Sequence, residues 1–201
     1  MATTQTPRPR ATSRNGNGQR SPDPNLDARA PELQPYGSLR MLPIGLPDTA
    51  RAESCELLNE ILADSMIIYA MYKKHHWLVA GPTFYQLHLL FDKHYEEQGE
   101  LVDLIAERIQ SLGGIAVGDP RHAAELTTIP RPPDGADEVA VMIDRTLEAH
   151  EIIIGKVRAG IKVTEESEDW GSNDLLMGDV LRRHELQVWF LAEHVVPVPL
   201  V

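Results

Sequence analysis

Between residues 48 and 195 the apolar side chains recur every three or four positions, in four long runs. That spacing puts them on one stripe of a helix. The first run carries Leu57, Leu58, Ile61, Leu62, Met66, Ile67 and Tyr69; it extends from Asp48 to about Trp77 and stops at Gly81-Pro82. Asp48 is the expected N-cap. The second carries Leu87, Leu90, Phe91, Leu101, Leu104, Ile105, Ile109 and Leu112, opens on a Thr83/Gln86 capping box and ends at Gly113-Gly114. A third spans about Asp137 to Val163, and a fourth about Ser172 to Val195, before Pro197. Long helices with one apolar stripe have to bury that stripe against each other. Residues 115–136 form a Pro-rich connection in which AAEL predicts a short helix. The expected fold is all-α: a four-helix bundle with a crossover.

The residues before this region read differently. Residues 1–46 are rich in Pro, Gly, Asn and Ser, and their six arginines face three acids. The expected domains are a disordered basic tail over residues 1–46 and a helical domain over 47–197. The tail is about +3 and the rest about −14, within a net charge of −11. An acidic body argues against a general nucleic-acid surface and favours one that attracts cations. Only the tail, through Arg8, Arg10, Arg14 and Arg20, could contact DNA. Cys55 is the single cysteine, so no intrachain disulfide forms, and it is read as a small core residue in a reducing compartment. No window approaches the ~18 apolar residues of a membrane span, and no apolar segment follows Met1, so neither a membrane helix nor a secretory signal is expected.

The second run carries the chemistry. At about 100° per residue, His88 and Asp92 lie about 40° apart, Asp92 and Asp103 about 20°, and Asp103 and Glu107 about 40°, so all four share one helix face. Imidazole and carboxylate are natural ligands for ferrous iron. Asp92 and Asp103 are nonetheless ~16 Å apart along the axis, so one ion cannot reach both pairs on one straight helix. A second, antiparallel copy beside the first would unite them, and a two-fold dimer would make two equivalent sites. His76, just before the interhelical turn, could join the His88/Asp92 half. The same spacing equally marks a solvated face of an acidic protein. The remaining histidines, His75, His94, His122, His150, His184 and His194, are expected to be structural or exposed, though His75, next to His76, could be a secondary ligand. Trp77 is expected to fill the core; beside the site it could instead shield it or take up stray oxidising equivalents.

The stretch His76-Trp77, Pro82, Phe84, His88, Asp92, then Asp103, Glu107-Arg108 and Leu112-Gly113-Gly114, resembles the Dps family, the DNA-protection-during-starvation proteins or mini-ferritins. The resemblance covers about residues 45–195. It implies a ferritin-like four-helix subunit with a short helix in the middle crossover, twelve of which form a hollow shell built from two-fold dimers. It implies di-iron ferroxidase sites at the dimer interfaces: His76, His88 and Asp92 from one subunit, Asp103 and Glu107 from its mate. Fe(II) would be oxidised with hydrogen peroxide or oxygen and stored as ferric mineral, in a cytoplasmic or nucleoid-associated protein that protects DNA. Acidic pores are implied near Asp169 and Asp174. The alternative is a nucleoid-binding or structural shell whose metal site is idle or holds zinc. The helices carry no Glu-x-x-His pair, which counts against an ordinary ferritin.

Overall fold

A computed structural model describes residues 31–197. Six α-helices follow in order: α1 (Asp48–Leu78), α2 (Phe84–Ser111), α3 (Pro120–Leu126), α4 (Val139–Glu166), α5 (Trp170–Asp174) and α6 (Arg182–Ala192). A π-helical segment, Leu175–Leu181, joins α5 to α6 without a break, so the last rod of the bundle is one helix carrying a widened middle. The described residues contain no strand. None of their helices is long and apolar enough to cross a membrane.

Side-chain pairs fix the directions. Along α1, Arg51, Cys55, Lys73 and His76 meet Leu112, Ile109, Asp92 and His88 in reverse order, so α1 and α2 are antiparallel. Asp64 and Tyr72 meet Lys156 and His150 of α4, again reversed. Helices α2 and α4 therefore run the same way. A chain that must return to the starting end between them needs a long crossover, and residues 112–138, with α3 inside, supply it. Fully buried Asp64 pins that crossover: it accepts from Thr127 Oγ1 at 2.6 Å and Thr128 N at 2.9 Å, while Lys156 Nζ lies 2.7 Å from its other oxygen. Such a pair holds only because each charge is compensated. The core is Leu58, Ile61, Leu62, Ile68, Phe91, Leu101, Ile105, Ile109, Ile153, Val157 and Leu176, drawn from all four rods.

The local signals had mixed outcomes. The Gly-Gly stop acts as expected: Gly113 has φ of 89°, Gly113 N donates to Gln110 O and Gly114 N to Ile109 O, the paired bonds of a left-handed helix end. A Cβ on Gly113 would sit 2.3 Å from Arg40 O, and one on Gly114 2.6 Å from Cys55 Sγ. Cys55 is a buried core residue, as expected. The caps differ. Asp48 lies inside the first turn, where it pairs with Arg51 at 2.6 Å, and Thr83 makes no capping bond.

Residues 34–46, assigned by composition to the tail, lie against the body. Arg40 N donates to Gly113 O at 2.8 Å, Gln34 Nε2 donates to the same oxygen at 2.8 Å, and buried Arg51 reaches Arg40 O at 2.9 Å. Backbone hydrogen bonding needs no apolar side chain, so composition does not reveal it. Arg8, Arg10, Arg14 and Arg20 lie outside the described residues.

Candidate metal centre

The turn between α1 and α2 brings His76 and His88 face to face, with ring centroids 3.8 Å apart and planes within 21°. Each ring bonds the other's backbone: His76 Nδ1 donates to His88 O, and His88 Nδ1 donates to His76 O, both at 2.9 Å. A carbonyl only accepts, so both protons sit on Nδ1 and both Nε2 atoms keep a free lone pair. That is the tautomer a metal-ligating imidazole needs. Gly81, at φ of 94°, makes the turn tight enough for this exchange.

Asp92 stands one turn further along α2, its Oδ1 3.8 Å from His76 Nδ1. The same oxygen takes a bond from Lys73 Nζ at 2.5 Å. Chiefly through that bond, the Asp92 carboxyl is held below the usual carboxylate range. Lys73 also lies over the ring of Tyr95, 4.3 Å from its centroid. Tyr95 stacks on Tyr69 at 4.2 Å with their hydroxyls hydrogen-bonded, which pushes the Tyr69 phenol up to about 12. The sequence signal for Lys73 is its place one turn before His76 on α1.

Asp103 and Glu107 are also on α2, and both are exposed. One chain does not bring them to the histidines: among the described residues no group of three or more His, Cys, Asp or Glu side chains gathers to hold a metal ion. Trp77, expected in the core, is 69% exposed, and Tyr85, Leu89 and Leu104 of α2 are exposed as well. Side chains of this kind beside His76, Asp92 and Asp103 make a patch suited to burial by another subunit.

The two pore candidates separate. Asp174 is exposed. Asp169 is 2% exposed: Arg108 Nη2 reaches it at 2.5 Å, and it accepts from Ser172 N and Oγ. Burial pushes its carboxyl up, but the Ser172 bonds and the Arg108 charge outweigh burial and hold it below the usual range. Asp169 is a buried clamp between α2 and α5, whereas the sequence reading placed it with Asp174 at a pore; counting acids along a loop cannot distinguish one turned inward onto an arginine.

Three of the histidines set aside by sequence analysis meet in the centre of the bundle. His94, His150 and His184 are each no more than 1% exposed, together with Tyr72, Gln98 and Gln187. Their signal was an imidazole standing within an apolar stripe.

The Ferritin family model, a ferritin-like domain, matches residues 55–201. An uncharacterized protein of Kitasatospora aureofaciens is 58% identical over 135 residues, 67% of this chain and 90% of that protein. The nutrient stress-induced DNA-binding protein of a Synechococcus strain is 30% identical over 165 residues, 82% of this chain and 93% of that protein. The solved structure of DpsC from Streptomyces coelicolor is 54% identical, covers 85% of this chain and 99% of its own, and superposes with a TM-score of 0.83. These likenesses agree with the all-helical bundle: the chain is a ferritin-like four-helix bundle protein and belongs to the Dps family.

Proposed function

We infer that this protein is an iron-oxidising and iron-storing shell that protects DNA. The observation carrying this reading is the His76/His88 pair, with both Nε2 lone pairs freed by reciprocal backbone bonds and Asp92 alongside. Fe(II) is the substrate. His76, His88 and Asp92 of one subunit and Asp103 and Glu107 of a two-fold mate complete the site, and bridging carboxylates offset the repulsion between two cations. Imidazoles bias the site toward iron over calcium or magnesium. Lys73 holds Asp92 as a carboxylate until iron displaces the ammonium. Twelve subunits enclose the ferric product, and Asp174 lies on the route of cation entry. Hydrogen peroxide or oxygen is the oxidant, and the bacterial cytoplasm or nucleoid the location.

Anaerobic Fe(II) loading followed by hydrogen peroxide tests this, with ferric absorbance as readout. Rapid oxidation is expected in the wild type and is lost in His76→Ala/Asp103→Ala; equal, slow oxidation in both defeats the reading and leaves a structural shell with an idle or zinc-occupied site.

DNA retention is a second property, favoured by the contrast of a +3 tail with a −14 body. Many weak tails on one shell act together. Removal of residues 1–30 is expected to abolish gel retention of DNA and to spare iron oxidation, and wild-type retention is expected to fall steeply with salt. Retention by the truncated protein would place the DNA contact on the body.

A further inference from the structure

Tyr72, fully buried in the last two turns of α1, hydrogen-bonds through its hydroxyl to His150 Nε2 at 2.5 Å. The far nitrogen of that ring, His150 Nδ1, lies 2.8 Å from His184 Nδ1. One proton is shared across each contact, and the direction of each depends on the tautomers of the two rings. With the phenol donating to His150 and His150 donating to His184, the three side chains form a wire. Gln98 Nε2 stands 3.4 Å from the other nitrogen of His184 and donates to Gln187 Oε1 at 2.8 Å; Gln187 in turn donates to Glu97 at 2.8 Å. Each rod of the bundle contributes to this chain, which lies among the aliphatic and aromatic side chains of the core. A phenol paired with an imidazole, and that imidazole with a second, is the arrangement that lets a tyrosine give up an electron and its proton together.

The position of Tyr72 suits that role. It stands four residues before His76 on the same helix, ~6 Å along the axis. Its ring packs on Phe91, centroids 6.2 Å apart, and Phe91 immediately precedes Asp92.

We propose that Tyr72, His150 and His184 form a buried proton-coupled redox relay that takes up one-electron oxidising equivalents escaping from iron oxidation. The supply of oxidant rests on the ferroxidase reading above. A hydroxyl-radical-class oxidant, formed from Fe(II) and peroxide, takes one electron from Tyr72. The phenolic O–H breaks, its proton moves to His150 Nε2, and the proton on His150 Nδ1 passes to His184 Nδ1. The products are a neutral phenoxyl on Tyr72 and one imidazolium on His184; the oxidant, with one electron and one solvent proton, becomes water. A second Fe(II) returns the electron and becomes Fe(III), and both protons move back. Burial disfavours the imidazolium on both rings, so the charge-separated state is short-lived and resets.

The test is freeze-quench EPR of the intact wild type and Tyr72→Phe proteins after Fe(II) and hydrogen peroxide, with ferric absorbance recorded in parallel. A tyrosyl signal in the wild type, lost in Tyr72→Phe while ferric absorbance rises in both, and forming more slowly in D2O, is the expected result. Ferric absorbance with no tyrosyl signal, or with the same signal in Tyr72→Phe, overturns the relay and leaves the ferroxidase reading standing. A Tyr72 signal that forms equally fast in D2O overturns the proton wire. If neither protein oxidises iron rapidly, the ferroxidase reading fails, and a photogenerated one-electron oxidant replaces iron and peroxide: a Tyr72-dependent radical then supports the relay, and none overturns it.

Discussion

Two inactive variants of this protein are expected to restore activity to each other when mixed. His76→Ala/His88→Ala removes one half of the proposed site, and Asp103→Ala/Glu107→Ala removes the other. Each homogeneous shell should lack rapid ferrous oxidation. Unfolded together at equal concentration and reassembled, the chains form hetero-dimers in which one site has its histidines from one variant and its carboxylates from the other. The second site of that pair has neither. Random two-fold pairing therefore recovers roughly a quarter of the wild-type sites. Stopped-flow oxidation of Fe(II) by peroxide reads this directly. No recovery in shells shown to be mixed would sink the intersubunit arrangement, because a site complete within one chain cannot be rebuilt by exchange. The physical ground is the ~16 Å rise between Asp92 and Asp103 on one straight helix.

Acid is expected to unfold the bundle at a pH where ordinary helical proteins survive. Burial lowers four imidazoles: His75 and His94 to about 4, His184 to about 3, and His150 well below its ordinary value. In the unfolded chain each titrates near 6.5. Below that pH the unfolded state binds protons that the folded state refuses, so stability is full above pH 6.5 and falls as the pH drops toward 4 and then 3. Each group costs about 1.4 kcal/mol per pH unit, so by pH 5 His75, His94 and His184 together remove on the order of 6 kcal/mol, and His150 acts in the same direction; the sum is comparable to the whole stability of a domain. Near-UV circular dichroism and urea midpoints between pH 8 and pH 4 test it. Replacement of His184 by Gln should flatten the slope. A wild-type midpoint that stays constant down to pH 4.5 would show that these rings are not buried neutral in the assembled protein.

The helical rods were legible in the sequence because burial imposes its period on the chain. A stripe at 3.6-residue spacing has one solution in water, and the Gly113-Gly114 stop leaves only a left-handed turn. The one-face alignment of His88, Asp92, Asp103 and Glu107 followed from the same period. Caps were less legible: Thr83 has the right residue type, but at φ of −98° and ψ of 12° its backbone is not in the extended cap conformation, and its hydroxyl makes no cap bond. The lie of residues 34–46 was hidden because much of it rests on backbone hydrogen bonds and on two scattered leucines, Leu39 and Leu46, that form no periodic stripe.

What the sequence determined by itself is therefore periodic: four rods, their breaks, and the residues on each face. What tertiary structure alone decided is where faces meet. It turned Asp169 inward onto Arg108, set His76 and His88 to bond each other's carbonyls, and closed Tyr72, His150 and His184 into one wire. Those pairings join residues 12 to 78 positions apart, and no local pattern encodes them. A hydrogen bond depends on distance and direction in space, which are fixed only when the rods pack.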